Sequence, residues 1–176
     1  MASVALVSIL GSDRVGLVAA IADHLFDLGA NLRDTSFATL GSGAEFVSLC
    51  ELPDDVTAPD VEAGLQALPE LDGAQVRVVP YSFDPNPSPS GLVTHRITVS
   101  GGDQLGLVAR LADVFRKYEA NIVRLDARKL PDQEGGLYVT RFAVSIRPDQ
   151  ESACLATVTN TAGSLGLASE IERSRF

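Results

Sequence analysis

The chain has 176 residues and a mass of 18.5 kDa, enough for one compact domain or two small ones. Hydrophobic residues make up 45% and charged residues 21%, which is typical of a globular protein and argues against disorder. The net charge of −9 repels polyanions, so we expect no direct binding of nucleic acid. Residues 1–90 carry 13 acidic and 3 basic side chains, whereas residues 91–176 carry 10 and 11, so the first half is the acidic one.

Cysteine content and the N-terminus bear on the compartment. Cys50 and Cys154 are far apart and form no C-x-x-C motif, so we expect buried, inert thiols. The N-terminus, MASVALVSILGSDRVG, has no basic region, and its apolar stretch is too short for a signal peptide or a membrane span. The sequence therefore predicts a cytoplasmic protein that does not associate with membranes.

The two halves of the sequence are copies of one unit. DRVGLVAAIAD at residues 13–23 falls on DQLGLVARLAD at residues 103–113, which is a shift of 90 residues. The register continues to Ala30-Asn31 and Ala120-Asn121, and the second copy then carries an insertion in PDQEGG, residues 131–136. This period is too long for solenoid repeats and suits two complete small domains.

A proline-rich stretch separates the copies. FDPNPSPSG, residues 83–91, alternates proline with small and polar residues, which suits an extended linker. We therefore predict a first domain at residues 1–82 and a second at residues 92–176.

Each copy has the same order of predicted elements. SVALVSI at 3–9 and THRITVS at 94–100 are β-branched and predict strands, after which glycine-containing turns begin at Gly11 and Gly101. Helical spacing of apolar residues follows in both copies. The predicted helices are 16–28, 58–68, 108–115 and 149–161, and the remaining predicted strands are 31–40, 45–52, 75–82, 121–130, 137–146 and 166–173. The order β-α-β-β-α-β predicts an α+β fold with two ferredoxin-like domains, each an antiparallel four-stranded sheet with both helices on one face.

The ends of the first helices differ between the copies. Gly29 is placed to end the helix of the first copy as a C-cap. Glu119 takes the same place in the second copy, so that helix must end without glycine.

The turn between the first strand and the first helix is the segment whose chemistry is repeated. It reads GSDRVGLV at residues 11–18 and GGDQLGLV at residues 101–108. Both turns lack the lysine and hydroxyl of a phosphate-binding loop, and neither fits the dinucleotide fingerprint. Nucleotide binding is therefore not predicted.

These turns place a carboxylate and a glycine before a helix. Unpaired N–H groups and the helix dipole favour an anion such as a carboxylate, and Gly16 and Gly106 allow it to come close. Asp13 and Asp103 can accept hydrogen bonds from an ammonium group, so the loops suit an α-amino acid. The alternative is that each Asp only caps its helix.

Asn31 and Asn121 stand where the chain enters the second strand of each copy. An amide both donates and accepts, which suits a zwitterion. Asn is also a common turn residue, and both interpretations stay open.

The turn D-x-x-G-L-V, the helix exits GANL and EANI, and the element order closely resemble ACT domains over both copies. A tandem pair without a catalytic domain is most similar to the glycine cleavage system transcriptional repressor family. The segment SDRVGLVAAIADHLFDLGANL also resembles the regulatory part of formyltetrahydrofolate deformylases and of some phosphoserine phosphatases. Those enzymes carry a further catalytic domain, and we expect none here.

The resemblance implies a small-molecule sensor. ACT domains generally bind amino acids between paired domains, using the first turn of one and the exit strand of its neighbour. The implied ligand-binding residues are Asp13, Arg14, Val15, Gly16, Leu17, Asn31 and Leu32 in the first copy, and Asp103, Gln104, Leu105, Gly106, Leu107, Asn121 and Ile122 in the second. Because Gln104 replaces Arg14, the two sites need not share a ligand or both be functional. The resemblance also implies action through a DNA-binding protein partner.

Other candidate sites are weak. His24, read as lying on the polar side of the first helix, and His95 are in different copies, so no metal site is predicted. Neither Cys50 nor Cys154 has a base nearby in sequence, so we predict no catalytic residue and no enzyme activity. No cofactor is predicted.

A basic cluster marks the hairpin of the second copy. It comprises Arg124, Arg128, Lys129 and Arg141, and alternation places Arg124 and Arg128 on one strand face. It is either a solvated face or a docking surface for an acidic partner, such as the first half of another copy.

We therefore expect a non-enzymatic, amino-acid-responsive regulatory protein that forms a homodimer and acts through a partner protein. The alternatives are a ligand-free interaction scaffold and a regulatory subunit of a separate amino-acid or one-carbon metabolic enzyme.

Overall fold

A computed structural model describes residues 3–86, 88–130 and 136–174. The chain divides into two compact units, Met1–Pro85 and Asn86–Phe176, each with its own hydrophobic core. Residues 131–135 of the predicted insertion lie outside the described residues, as does Pro87 of the predicted linker.

The two units have the same architecture. The first contains β1 (Ser3–Ser12), α1 (Leu17–Asp27), β2 (Asn31–Leu40), β3 (Gly43–Leu52), α2 (Ala58–Gln66) and β4 (Gln75–Pro80). The second contains β5 (His95–Gly101), α3 (Leu107–Lys117), β6 (Asn121–Leu130), β7 (Leu137–Ser145), α4 (Glu151–Ser164) and β8 (Ala168–Arg173). The sheet orders are β2-β3-β1-β4 and β6-β7-β5-β8, with antiparallel neighbours throughout. The predicted fold, β-α-β-β-α-β twice, is confirmed.

The helices of each unit cover one face of its sheet. In the first unit Val7 and Ile9 alternate with less buried residues along β1, and they join Ile21 of α1 and Val61 of α2 in one core. In the second unit, Phe115 of α3 stacks on Phe142 of β7 with ring centroids 5.2 Å apart. The period of two in the strands and the helical spacing therefore meet in a single apolar layer per unit.

The start of α2 is specified by a capping box. The Thr57 side chain accepts a hydrogen bond from the Asp60 backbone, while the Asp60 carboxylate accepts one from the Thr57 backbone. The Thr57 hydroxyl also donates to the Asp60 carboxylate. The hydrogen bonds that this carboxylate accepts from the Thr57 side chain and backbone hold the pKa of Asp60 below its ordinary value. The capping box thereby gives partners to two backbone N–H groups, those of Thr57 and Asp60.

The two copies end their first helices with the same backbone geometry. Gly29 has φ +72° and Glu119 has φ +53°, so both lie in the left-handed region. Among the described residues, Glu119 is the one non-glycine residue with positive φ. The second copy therefore places a side chain where the fold favours glycine.

Three sequence expectations differ from the structure. The predicted turns at Gly11 and Gly101 start later, because β1 continues to Ser12, which pairs with Gly43, and β5 continues to Gly101, which pairs with Tyr138. Within the predicted extended linker, Pro89–Gly91 forms a 3₁₀ turn. His24 does not lie on a polar face: its Nε2 is buried without a hydrogen-bond partner, and the ring packs against Gly64 of α2.

No helix in the described ranges has the length and apolar character needed to cross a membrane.

Candidate functional site

The loop that joins β1 to α1 is built around a left-handed glycine. Beyond Ser12, the Asp13 N–H donates to the Ser42 carbonyl at 3.0 Å, which ties the loop to the β2–β3 turn. Gly16 has φ +91° and is the N-cap of α1. The loop from β5 to α3 repeats this geometry, with Gly106 at φ +78° as the N-cap. The sequence requires glycine here because a residue with a Cβ is strained in this region.

Neither Asp13 nor Asp103 caps its helix. Each N-cap is the glycine three residues later, and within the described ranges neither helix start has a side-chain capping hydrogen bond. The alternative that these aspartates are only helix caps is therefore wrong. The N–H groups at Val18 and Ala19 lie in the first turn of α1, where the helix itself supplies no acceptor.

In the second unit the loop borders a depression of about 230 Å³. Its lining consists of the loop, the first turn of α3 and one ring from β7: Asp103, Gln104, Leu105, Gly106, Leu107, Val108, Ala109 and Tyr138. Pockets for drug-sized ligands are usually about 300–1,000 Å³. The depression is therefore smaller than the pockets that hold drug-sized ligands.

The two aspartates differ in their ionic partners. Lys129 Nζ lies 3.2 Å from Asp103 Oδ2, and both side chains are more than half exposed. Sheet register makes this contact, because Lys129 pairs with Tyr138, which pairs with Gly101. Exposed pairs of this kind are worth about 0–1 kcal/mol, so Lys129 is a competitor that a ligand can displace.

In the first unit Thr39 occupies the position equivalent to Lys129. Within the part of the chain that the structure describes, the Asp13 carboxylate makes no hydrogen bond or ion pair. Its neighbour Arg14 donates a long hydrogen bond, 3.4 Å, to the Pro69 carbonyl in the 3₁₀ turn Pro69–Leu71. Asp13 is thus the carboxylate that is open to an ammonium group.

The apolar residues predicted for the site fall into three classes of exposure. Val15 and Leu105 are fully exposed at the same position of the two loops. Leu17 and Leu107 are buried in the cores, so only their backbone can contact a ligand. Leu32 and Ile122 are half-buried and pack against the cores of their units.

The structure does not bring the asparagines to the loops of their own units. Asn31 lies level with Val4 at one end of the sheet, because both pair with Glu51, whereas Asp13 follows Ser12 at the other end. Eight residues of strand separate the two levels, about 26 Å at the usual rise per residue. Asn31 therefore belongs to no site that the first unit forms alone.

The amides of both asparagines are already engaged. Asn31 Nδ2 donates to Glu51 Oε2 at 3.3 Å, and Arg33 holds the other oxygen of Glu51 at 3.1 Å. Asn121 Nδ2 donates to the Ser90 carbonyl at 2.8 Å and so anchors the 3₁₀ turn before β5.

The remaining candidate residues are part of the core. Burial raises the pKa of the Cys50 and Cys154 thiols, which keeps them protonated. His95 is buried, with Nδ1 3.0 Å from the Thr94 hydroxyl and Nε2 3.4 Å from Glu151. Among the residues described, no group of three metal-ligating side chains occurs.

Comparison with known proteins agrees with the architecture. Residues 3–79 match the family model of the ACT domain. A crystal structure of an unknown protein from Galdieria sulphuraria is 24% identical, with a TM-score of 0.78 over 99% of this chain and 100% of that one. A protein named "putative glycine cleavage system transcriptional repressor" is 14% identical, with a TM-score of 0.70 over 100% of this chain and 99% of that one. At these identities the likeness concerns the fold. No curated protein matches the sequence. The first unit therefore matches the ACT domain model, and the whole chain has a tandem ACT-like fold.

Proposed function

We propose that this protein is a non-enzymatic regulator that binds a small amino acid at the loop between β1 and α1. The observation that carries the proposal is that one loop combines a group that favours an anion with a group that favours a cation. The start of α1 has no side-chain cap and favours the ligand's carboxylate. The free Asp13 carboxylate favours the ligand's ammonium group. An α-amino acid carries both charges a few bonds apart.

The first loop is the stronger site in this proposal. Both loops have the glycine N-cap, but Asp103 is paired with Lys129, whereas Asp13 has no such neighbour. A ligand ammonium must displace Lys129 at the second loop. The depression beside that loop supports a binding role for it, with lower affinity for a neutral amino acid.

Regulation follows from linkage. A ligand shifts an equilibrium between two arrangements of the protein only by its difference in affinity for them. In this proposal a partner protein binds the arrangement that the ligand favours. The likeness in fold to a protein named as a transcriptional repressor supports such a role. Cytoplasmic location and dimerisation are parts of the same proposal.

Isothermal titration calorimetry of the full chain against the common L-amino acids tests the site. We expect binding by at least one of them, and we expect Asp13→Asn to weaken it about tenfold or more, the loss of a charge-assisted hydrogen bond. Asp27→Asn is the matched control, because it removes the same charge from the exposed far end of α1. Equal affinities for the two variants would exclude Asp13 as a ligand-binding residue.

An interaction scaffold is the second candidate function. The full exposure of Val15 and Leu105 favours it, because an exposed apolar residue repeated in both copies can serve as a contact for another protein. If no amino acid releases heat with the wild-type chain, the scaffold replaces the sensor as the interpretation of these loops.

A further inference from the structure

The second sheet has a charged face that the proposed function does not use. Ile97 and Val99 of β5 point into the core with α3 and α4, so the alternate residues point to the other side. We call this other side the open face. Its members, from β6 to β8, are Arg124, Asp126, Arg128, Val139, Arg141, Ala143, Arg96, Thr98, Ser100, Ala168, Glu170 and Glu172. All of its arginine and glutamate side chains are exposed.

Charge is divided across the open face. Four arginines lie on β6, β7 and β5, and both glutamates lie on the β8 edge. The single aspartate of the face, Asp126, is shared by Arg128 at 3.4 Å and Arg141 at 3.5 Å. Its charge is therefore compensated inside the face, and the face has a positive side and a negative edge.

One row of cross-strand partners spans this division. Arg124 on β6 pairs in register with Ala143, Ala143 with Arg96, and Arg96 with Glu172 on β8. Among the residues the structure describes, Arg124 and Glu172 make no ion pair. The row thus ends in an unpaired cation on one edge and an unpaired anion on the other, with small Ala143 between the arginines.

A second copy of the same face complements this pattern. A two-fold axis parallel to the strands lays β6 of one copy over β8 of the other and keeps each row in line. Arg124 then faces Glu172 of the second copy, and the symmetry makes this pair twice. The next row places Asp126 opposite Glu170, and the two arginines that share Asp126 offset its charge there. An axis perpendicular to the strands instead opposes Arg124 to Arg128, which are like charges.

We propose that the open face is the surface through which two copies of this chain associate, aligned face to face by two Arg124–Glu172 pairs. This inference is independent of ligand binding at the loops. Exposed ion pairs are screened by salt, so the association weakens as ionic strength rises.

Sedimentation equilibrium of the full chain at low and high salt measures the association. We expect Arg124→Glu and Glu172→Arg each to raise the dissociation constant about tenfold or more, because each variant sets like charges against each other twice. An equimolar mixture of the two variants restores association, since each chain then supplies what the other lacks. Arg110→Glu is the matched control, because Arg110 is exposed on α3, away from the open face, and this variant leaves the dissociation constant unchanged.

Three outcomes overturn the proposal. The wild-type chain stays monomeric at low salt, or both variants associate as the wild type does. In the third outcome Glu172→Arg tightens association while Arg124→Glu weakens it. That result assigns the face to an acidic surface, such as the first unit of another copy, instead of to a second open face.

Discussion

Glu119 carries the backbone cost of a helix end that the other copy ends with glycine. A non-glycine residue in the left-handed region costs about 1–2 kcal/mol. Glycine at this position avoids that cost, but its greater entropy in the unfolded chain offsets about 0.4–1 kcal/mol of the gain. We therefore expect Glu119→Gly to have a free energy of unfolding about 0.5–1 kcal/mol above that of Glu119→Ala. Urea denaturation followed by circular dichroism measures the difference.

The comparison with alanine is the control for the side chain. Glu119 Oε2 lies 3.0 Å from Arg147, and both variants remove this exposed pair equally. Gly29→Ala in the first unit is the reciprocal change, because Gly29 has φ +72°, and it should lower stability. Equal stabilities of the glycine and alanine variants at residue 119 would show that the helix end relaxes without strain.

Single residues were the part of the site that the sequence predicted least well. The pattern identified Asp13 and Asp103 and the glycines beside them, but it left open whether each Asp caps its helix. That question depends on which residue takes the N-cap position, and Gly16 takes it in the first unit. The partner of Asp103 was missed because Lys129 is 26 residues away in sequence and reaches it through the sheet register.

At the scale of elements, helical and strand periodicity predicted the α-helices and strands that the structure describes in both units, but not the two 3₁₀ turns. The strand register was not predictable in the same way, because pairing depends on contacts across strands. His24 illustrates the limit. Its charged neighbours Asp23 and Asp27 indicated a polar face, yet His24 follows Leu17 by seven residues and Ile21 by three, which is the spacing of the buried stripe.

The contact between α1 and α2 depends on Gly64. A methyl group there would overlap the His24 imidazole. We expect Gly64→Ala to lower the free energy of unfolding by about 1 kcal/mol, because overpacking outweighs the gain in helix propensity. In a His24→Ala background the same change should instead stabilise by about 0.5–1 kcal/mol. Thermal denaturation of the four proteins of this double-mutant cycle measures the coupling.

Gly163 in α4 is the matched control for this contact. A methyl group there meets nothing within 4 Å, so Gly163→Ala should stabilise the chain. Destabilisation by both alanines would mean that helix flexibility, and not the imidazole, sets the effect at Gly64.

At the scale of the whole molecule, the two copies keep one fold and have diverged in charge. The first half has an excess of ten acidic side chains and the second an excess of one basic side chain. The loops share the glycine N-cap, so the backbone half of the candidate site is common to both. One difference outside the loops is the residue at the equivalent position of the edge strand, Thr39 in β2 and Lys129 in β6.

Exchanging these two residues tests whether that difference selects the binding loop. Lys129→Thr frees Asp103 and should add a second amino-acid binding event, whereas Thr39→Lys gives Asp13 a competing ammonium and should weaken the first event about fivefold, the upper range for an exposed pair. Calorimetry on the full chain measures the stoichiometry for the first exchange and the affinity for the second, with Lys117→Thr, a lysine lost from the end of α3, as control for net charge. Because the backbone of both loops is retained, a stoichiometry unchanged by Lys129→Thr together with an affinity unchanged by Thr39→Lys would mean that affinity is set by the helix start and not by the free carboxylate.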